Sequence, residues 1–414
     1  MPELSTATQD ALVALALILP GLVCGALVMR GYRPWPVIAA MLRRAAGTAI
    51  LFTALIAVAL ALGLILTAQE RGLRQASARA ADPFDVIVAA PGSETTAMLA
   101  SVFLQPADLP LLSGAQFAEV AATPGVTLAA PLGFGDSADG APVVGTTAAF
   151  VTHLAGPPAE GRPFAARAEA VAGALAPFAP GDEIEPAHGV GEAAEDHAHE
   201  GHHLTVVGRL APTGGPWDHA VIVPVETLWD MHGLPDGHPP GDTDGNRPIG
   251  PPWDTASFPG VPAVAVDTDQ LAAAYGVRAA LSRPDMMAFF PGAVLAQLHA
   301  VLGDARAALS VMALFADQFA LLAVMGAPLR FTLAVSWGFA AILILGGAVL
   351  GVALALAGMG AASQVLSERL GFAVHARLGW PEAHMTAAFV TLMLVAALVP
   401  AIARMRGQRR SGIA

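Results

Sequence analysis

Apolar residues in this chain fall into long uninterrupted runs near the two ends, and a polar stretch of quite different texture lies between them. Ala11–Met29 and Gly47–Ala68 carry no charged side chain. Each is long enough as a helix, at about 1.5 Å per residue, to cross a hydrocarbon core about 30 Å thick. Phe331–Met359 and Thr386–Ala403 pass the same test, and 307–329 passes it apart from Asp317 and Gln318. The pattern predicts five spans and one large water-exposed insert. The implied division is an extra N-terminal helix with a basic loop (1–46), a second helix (47–68), an extracytoplasmic domain (69–305) and a C-terminal helical domain with three membrane segments (306–414).

Within the insert the period changes. Phe84–Ala90, Val126–Ala130, Ala141–Gly145, Leu204–Leu210, Ala220–Val225 and Pro262–Val266 are β-rich runs bounded by Gly, Pro and Asp, which reads as strands between turns. Pro110–Ala122 and Asp267–Leu281 read as helices, so the insert is expected to be an α+β domain. Residues 232–260 are dense in proline and glycine and read as an irregular surface loop. Gln364–Leu378 has charges among apolar residues and reads as an amphipathic helix on the outer membrane surface or a plain connector.

Composition supports a membrane protein, because 55% of the residues are hydrophobic and only 13% are charged, against about 25% charged in soluble domains. A net charge of −12 argues against nucleic acid as a partner. The one cysteine, Cys24, lies in the first apolar run, which excludes an intramolecular disulfide. Met1–Asp10 lacks a basic n-region, so the first segment is expected to stay in the membrane. Arg30, Arg33, Arg43 and Arg44, then Arg330, then Arg404, Arg406, Arg409 and Arg410 fall on the cytoplasmic side if the insert lies outside. Arg71, Arg74 and Arg79 run against this scheme.

Two polar features carry candidate chemistry. The segment 188–203 concentrates His188, His197, His199, His202 and His203 with Glu195, Asp196 and Glu200, a donor set suited to Zn²⁺. Its alternatives are a solvated loop, low-affinity zinc capture, or a metal-dependent membrane enzyme, the last without an HExxH motif. Asp317 is an intramembrane polar residue, either functional or brought to an interface by a shortened helix. Trp217–Asp218–His219 and Trp229–Asp230–Met231–His232 flank one strand, as packing anchors or as a means of bringing His219 and His232 near the histidine segment. The Gly347/Gly351 pair is a GxxxG that permits close helix approach.

The basic-flanked MLRRAAGTAILFTALIAVALALGLIL, the segment LLAVMGAPLRFTLAVSWGFAAILILGGAVLGVALALA at 321–357 and PLGFGDSADGAPVVGTT at 131–147 together resemble the MacB/FtsX-like (LolC/LolE-type) permeases of ABC transporters over about residues 40–410. The resemblance implies an integral membrane helical protein with a MacB-like periplasmic core, multi-pass in a bacterial inner membrane. It implies a permease homodimer or heterodimer that handles lipoprotein, lipid or peptide cargo, with a periplasmic protein as a further partner, and the histidine segment adds the alternative of a zinc-linked system. A regulator of a periplasmic hydrolase is the alternative within the same family. The chain has no lysine, hence no GxxxxGK[ST] phosphate loop. It is therefore expected to be no enzyme itself and to need a cytoplasmic ABC ATPase in trans, with Met325, Gly326, Ala327, Pro328 and Arg330 at the coupling turn. Residues 1–39 lie outside the resemblance.

Overall fold

The structure, a computed structural model, describes residues 5–189, 203–239, 247–299 and 329–398. It divides into two compact units, and the division falls inside two helices, between Leu73 and Arg74 and between Ser367 and Glu368.

The first unit is helical. It holds α1 (Thr6–Met29), α2 (Trp35–Arg44), most of α3 (Ala46–Ala81), most of α10 (Leu329–Leu370) and α11 (Trp380–Ala396). Among the described residues three helices are long and apolar enough to cross a membrane: Thr6–Met29, Ala46–Ala81 and Leu333–Leu370. The predicted run 307–329 lies outside the described residues. The last predicted span takes the form of α11, 17 residues or about 26 Å long. It begins at Trp380 rather than Thr386, because Pro381 favours a first helical turn and Glu382 accepts the Gly379 N–H at 2.8 Å. The apolar run marked the apolar part of the helix but not the cap that starts it.

Glycines set the packing of this unit. A Cβ at Gly351 would stand 2.8 Å from the Ala57 carbonyl oxygen and 3.1 Å from Leu60 Cβ, and one at Gly347 would stand 2.6 Å from Ile56 Cγ2. The GxxxG therefore seats α10 against α3 within one chain. Trp337 of α10 donates its indole N–H to the Leu394 carbonyl of α11 at 2.9 Å, and Thr391 Oγ1 donates to the Leu17 carbonyl of α1 at 2.7 Å.

Both long helices outrun their apolar segments. α3 has 36 residues and α10 has 42, about 54 and 63 Å at helical rise. The surface helix expected at 364–378 is thereby corrected: its first part is the end of α10. The helix stops where Gly371 takes φ +70, a left-handed conformation that glycine adopts without a Cβ penalty. Residues beyond it are pinned without helix. Ser367 Oγ accepts the Val374 N–H at 2.9 Å, and Ser363 Oγ accepts from Gln69 Nε2 at 3.1 Å and from the Ala376 N–H at 3.3 Å.

The second unit is an α/β domain. A mixed sheet runs in the order β11 (Met287–Phe289), β1 (Val86–Ala89), β10 (Ala263–Thr268), β2 (Val126–Ala138), β3 (Ala141–Thr146), β9 (Val221–Pro224), β5 (Glu169–Ala172), β8 (Leu204–Arg209) and β4 (Glu160–Gly161). β6 (Glu183–Ile184) pairs with β8, and β7 (Ala187–His188) pairs with β2. The strand β2 spans two halves of the sheet, pairing with β10 from Val126 to Leu132 and with β3 from Gly133 to Ala138. Its register shifts between Phe134 and Asp136, a bulge at Gly135 that bends the strand from one core to the other. Asp139 (φ 47) and Gly140 (φ 82) close the β2–β3 hairpin with the two positive φ values that a tight Asp-Gly turn needs.

Each half has its own core. Val86, Val88, Val264 and Val266 pack with Phe117 and Val120 of α5 (Gly114–Ala122) and with Val277 and Leu281 of α8 (Leu271–Leu281). Val143, Ala170, Val206, Val221 and Val223 pack with Phe178 and Ile184 in the other. The remaining helices of the domain are α4 (Glu94–Phe103), α6 (Ala148–Ala155), α7 (Val225–Met231) and α9 over 291–299.

The Gly351 contact gives a direct test. Gly351→Leu forces side-chain atoms into the Ala57 backbone and is expected to destabilise the helical unit by about 1–3 kcal/mol. Gly360→Leu, where a Cβ meets nothing within 4 Å, is expected to be neutral. Thermal unfolding of the two detergent-solubilised variants distinguishes them.

Candidate functional site

The sequence-derived residues disperse. Asp317 and the coupling-turn residues Met325, Gly326, Ala327 and Pro328 lie outside the described residues, as do His197, His199 and His202. Arg330 lies in α10 and is exposed. His188 and His203 flank the histidine segment where β7 ends and β8 begins.

Those two ends are anchored at one corner of the α/β domain. His188 pairs in register with Asp136 across β2, and Ser137 Oγ donates to the Gly189 carbonyl at 2.6 Å. The Asp136 carboxylate is buried and lies 3.6 Å from His232 Nε2. On the other side His203 Nδ1 lies 2.9 Å from Glu185 Oε1. A cleft of about 420 Å³ is lined there by Asp139, Phe178, Glu183, Glu185 and His203, among others. Among the described residues no group of three or more His, Cys, Asp or Glu side chains converges as a metal-binding set.

The two Trp-Asp pairs act as anchors. Trp217 is buried against Phe84 and Phe150, while Asp218 accepts from the Thr213 N–H and Oγ1 and the Gly214 N–H at 2.7–2.8 Å. Trp229 donates to the Gly260 carbonyl at 3.2 Å. His232 also bonds the Leu228 carbonyl through Nδ1 at 2.8 Å.

A polar network that the sequence pattern did not single out surrounds α7. Arg167 bridges Asp230 at 2.6 Å and Asp236 at 2.8 Å, and donates to the Pro248 carbonyl at 3.1 Å. Glu226, 1% exposed, accepts the Gly250 N–H and the Trp253 indole N–H, each at 2.7 Å. His238 Nε2 is 3.8 Å from the same carboxylate oxygen. Trp253 and Phe258 pack against Phe117 and Trp229. Within the irregular loop expected at 232–260, the segment 247–260 has no helix and forms a strap held onto α7 by aromatic packing and charge-assisted hydrogen bonds. The signal available in the sequence was the acid in VPVETLWDM together with the aromatics of PPWDTASF.

The strap has a definite electrostatic character. Burial pushes the Glu226 carboxyl above the usual carboxylate range, against the opposing pull of its hydrogen bonds and His238. Burial also pushes the Asp236 carboxyl upward, but the His238 N–H, Arg167 and Arg247 outweigh it and hold that group below its ordinary value.

In the helical unit the corresponding feature is Arg71, whose guanidinium lies 2.9 Å from the buried Glu382 carboxylate and also donates to the Arg377 carbonyl. One of the three arginines that oppose the expected orientation is thus neutralised by an acid far along the chain.

Comparison with solved structures gives likeness over about half of the chain. The chain is similar to the extracellular domain of the noncanonic ABC-type transporter YknZ from Gram-positive bacteria, at 10% identity and TM-score 0.30, over 49% of this chain and 98% of that one. It is also similar to the periplasmic region of MacB from Actinobacillus actinomycetemcomitans, at 8% identity and TM-score 0.32, over 52% and 94%. No protein-family model and no curated protein matches the chain.

Glu226 supplies a pH prediction. A carboxyl whose value is raised on folding contributes stability that is present below its unfolded value of 4.5 and is lost as pH rises through the folded value. Glu226→Gln, which keeps an acceptor and cannot ionise, is expected to remove part of the wild-type loss of thermal stability between acid and neutral pH. Parallel stability–pH curves for the two proteins would contradict this.

Proposed function

We propose that this chain is the membrane subunit of an ABC-type transport complex, driven by an ATPase that binds its cytoplasmic face. The observation that carries this reading is the way the α/β domain is built into the chain. It follows α3 directly in the chain, and α3 and α10 each hold a span-length apolar segment and continue unbroken past the end of it. A continuous helix is a rigid element able to carry displacement along its axis. The sequence resemblance to MacB/FtsX-like permeases supports the same reading.

On this reading the chain binds and moves, while nucleotide chemistry belongs to the ATPase, since a phosphate loop requires a lysine and the sequence contains none. The turn at Met325, Gly326, Ala327 and Pro328, with Arg330 of α10, contacts the ATPase. The outer domain handles cargo or a periplasmic partner beyond the bilayer.

Affinity purification of the tagged protein from its native host in detergent, with mass spectrometry of the associated chains, is the test. A phosphate-loop ATPase is expected in near-stoichiometric amount. Reproducible absence of any ATPase from a folded, abundant bait would contradict the proposal.

A further inference from the structure

The connection between α1 and α3 is more than a basic loop. α2 is a ten-residue helix with two distinct sides. Ile38 is buried, and a Cβ added at Gly338 of α10 would stand 2.6 Å from Ile38 Cδ1 and 2.7 Å from Met29 Cε. Ile38 and Met29 together fill the notch that this glycine leaves. Arg43 and Arg44 are exposed, as are Val37 and Ala40, and Trp35 at the N-terminal end is 57% exposed.

The notch fixes the depth of α2. Gly338 lies in the apolar run 331–359, eight residues beyond Arg330, and the other residue in its notch, Met29, is the last of the apolar run Ala11–Met29. A helix wedged there by Ile38 lies at the level where hydrocarbon gives way to headgroups, not out in the aqueous phase. An indole is favoured at that level, and an arginine there can keep its stem in the apolar layer while its guanidinium reaches the headgroups.

Charge points the same way. Arg30 and Arg33 lead into α2, and all four arginines are exposed. No acidic residue occurs between Asp10 and Glu70, and among the described residues none of the four makes an ion pair. Four guanidinium groups without a counter-ion, beside an exposed tryptophan at interfacial depth, fit phospholipid phosphates with net negative charge.

We infer that α2, with Arg30, Arg33, Arg43, Arg44 and Trp35, is an anionic-phospholipid binding surface that anchors this end of the helical unit in one leaflet. The inference rests on the membrane-spanning reading of α1, α3 and α10 and is independent of whether an ATPase is the partner.

The test uses the full-length chain in nanodiscs of mixed phosphatidylglycerol and phosphatidylcholine, released into the gas phase for native mass spectrometry. The wild type is expected to retain phosphatidylglycerol over phosphatidylcholine. Arg43→Gln/Arg44→Gln is expected to weaken that retention at least tenfold, since each arginine at a leaflet surface is worth roughly fivefold. Arg43→Lys/Arg44→Lys preserves the charge and is expected to restore most of the preference. Equal retention of the two lipids by the wild type would overturn the proposal. So would an unchanged preference in the Gln variant, or unchanged lipid binding with loss of ATPase recovery, which would assign these arginines to a protein partner. Absence of an ATPase alongside intact, arginine-dependent lipid retention would count against the proposed function and leave this inference standing.

Discussion

The close approach of α10 to α3 at Gly347 and Gly351 is the constraint on which the helical unit depends. On the proposed membrane-spanning reading, an apolar side chain gains little by leaving hydrocarbon for another helix, so association comes from backbone proximity and from a few polar contacts. With no Cβ on these two glycines, Ile56, Ala57 and Leu60 sit against the α10 backbone. The polar contacts then lie around that seam: Trp337 to the Leu394 carbonyl, Thr391 to the Leu17 carbonyl and Gln69 to Ser363. The Arg71–Glu382 pair closes the series. A buried ion pair adds little net stability, but losing either partner strands the other charge, so the pair holds α3 and α11 in one register.

The α/β domain solves a different problem. In water its cores are held by apolar burial, and a single bent strand, β2, serves both. The Gly135 bulge lets the half of β2 beside β10 and the half beside β3 face separate cores. The strap at 247–260 covers the first of these, with Trp253 and Phe258 over Phe117 and Trp229. Glu226 and Arg167 supply the directional bonds that apolar contact lacks.

What could be read from the chain follows from the physics of each feature. The apolar runs Ala11–Met29, Gly47–Ala68 and Phe331–Met359 and the strands Phe84–Ala90, Ala141–Gly145 and Leu204–Leu210 were legible because their apolar residues follow a local pattern. The ends of α3, α10 and α11 were not. Helix continues past Ala68 and Met359 on propensity and packing, and α11 starts on the Gly379–Glu382 cap rather than on hydropathy. The short strand β5, Glu169–Ala172, was missed, and so was the attachment of the irregular segment 247–260 to α7, because both depend on partners far away in sequence: Val171 pairs with Gly208 and Ile222, and Glu226 with Trp253. Of the candidate site, the histidine segment was visible as composition. The convergence of its two ends on Asp136 and Glu185 depends on strand pairing, which no local pattern encodes.

The central claim is that the helical unit spans a membrane with the α/β domain outside and the α1–α3 connection inside. Substituted-cysteine labelling tests it most directly, since Cys24 is the only native thiol to remove. With a membrane-impermeant maleimide applied to intact spheroplasts, Leu175→Cys in the exposed surface of the domain should label fully. Ala40→Cys in α2 should label only after the membrane is opened. Labelling of Ala40→Cys from outside, or protection of Leu175→Cys until lysis, would contradict the account.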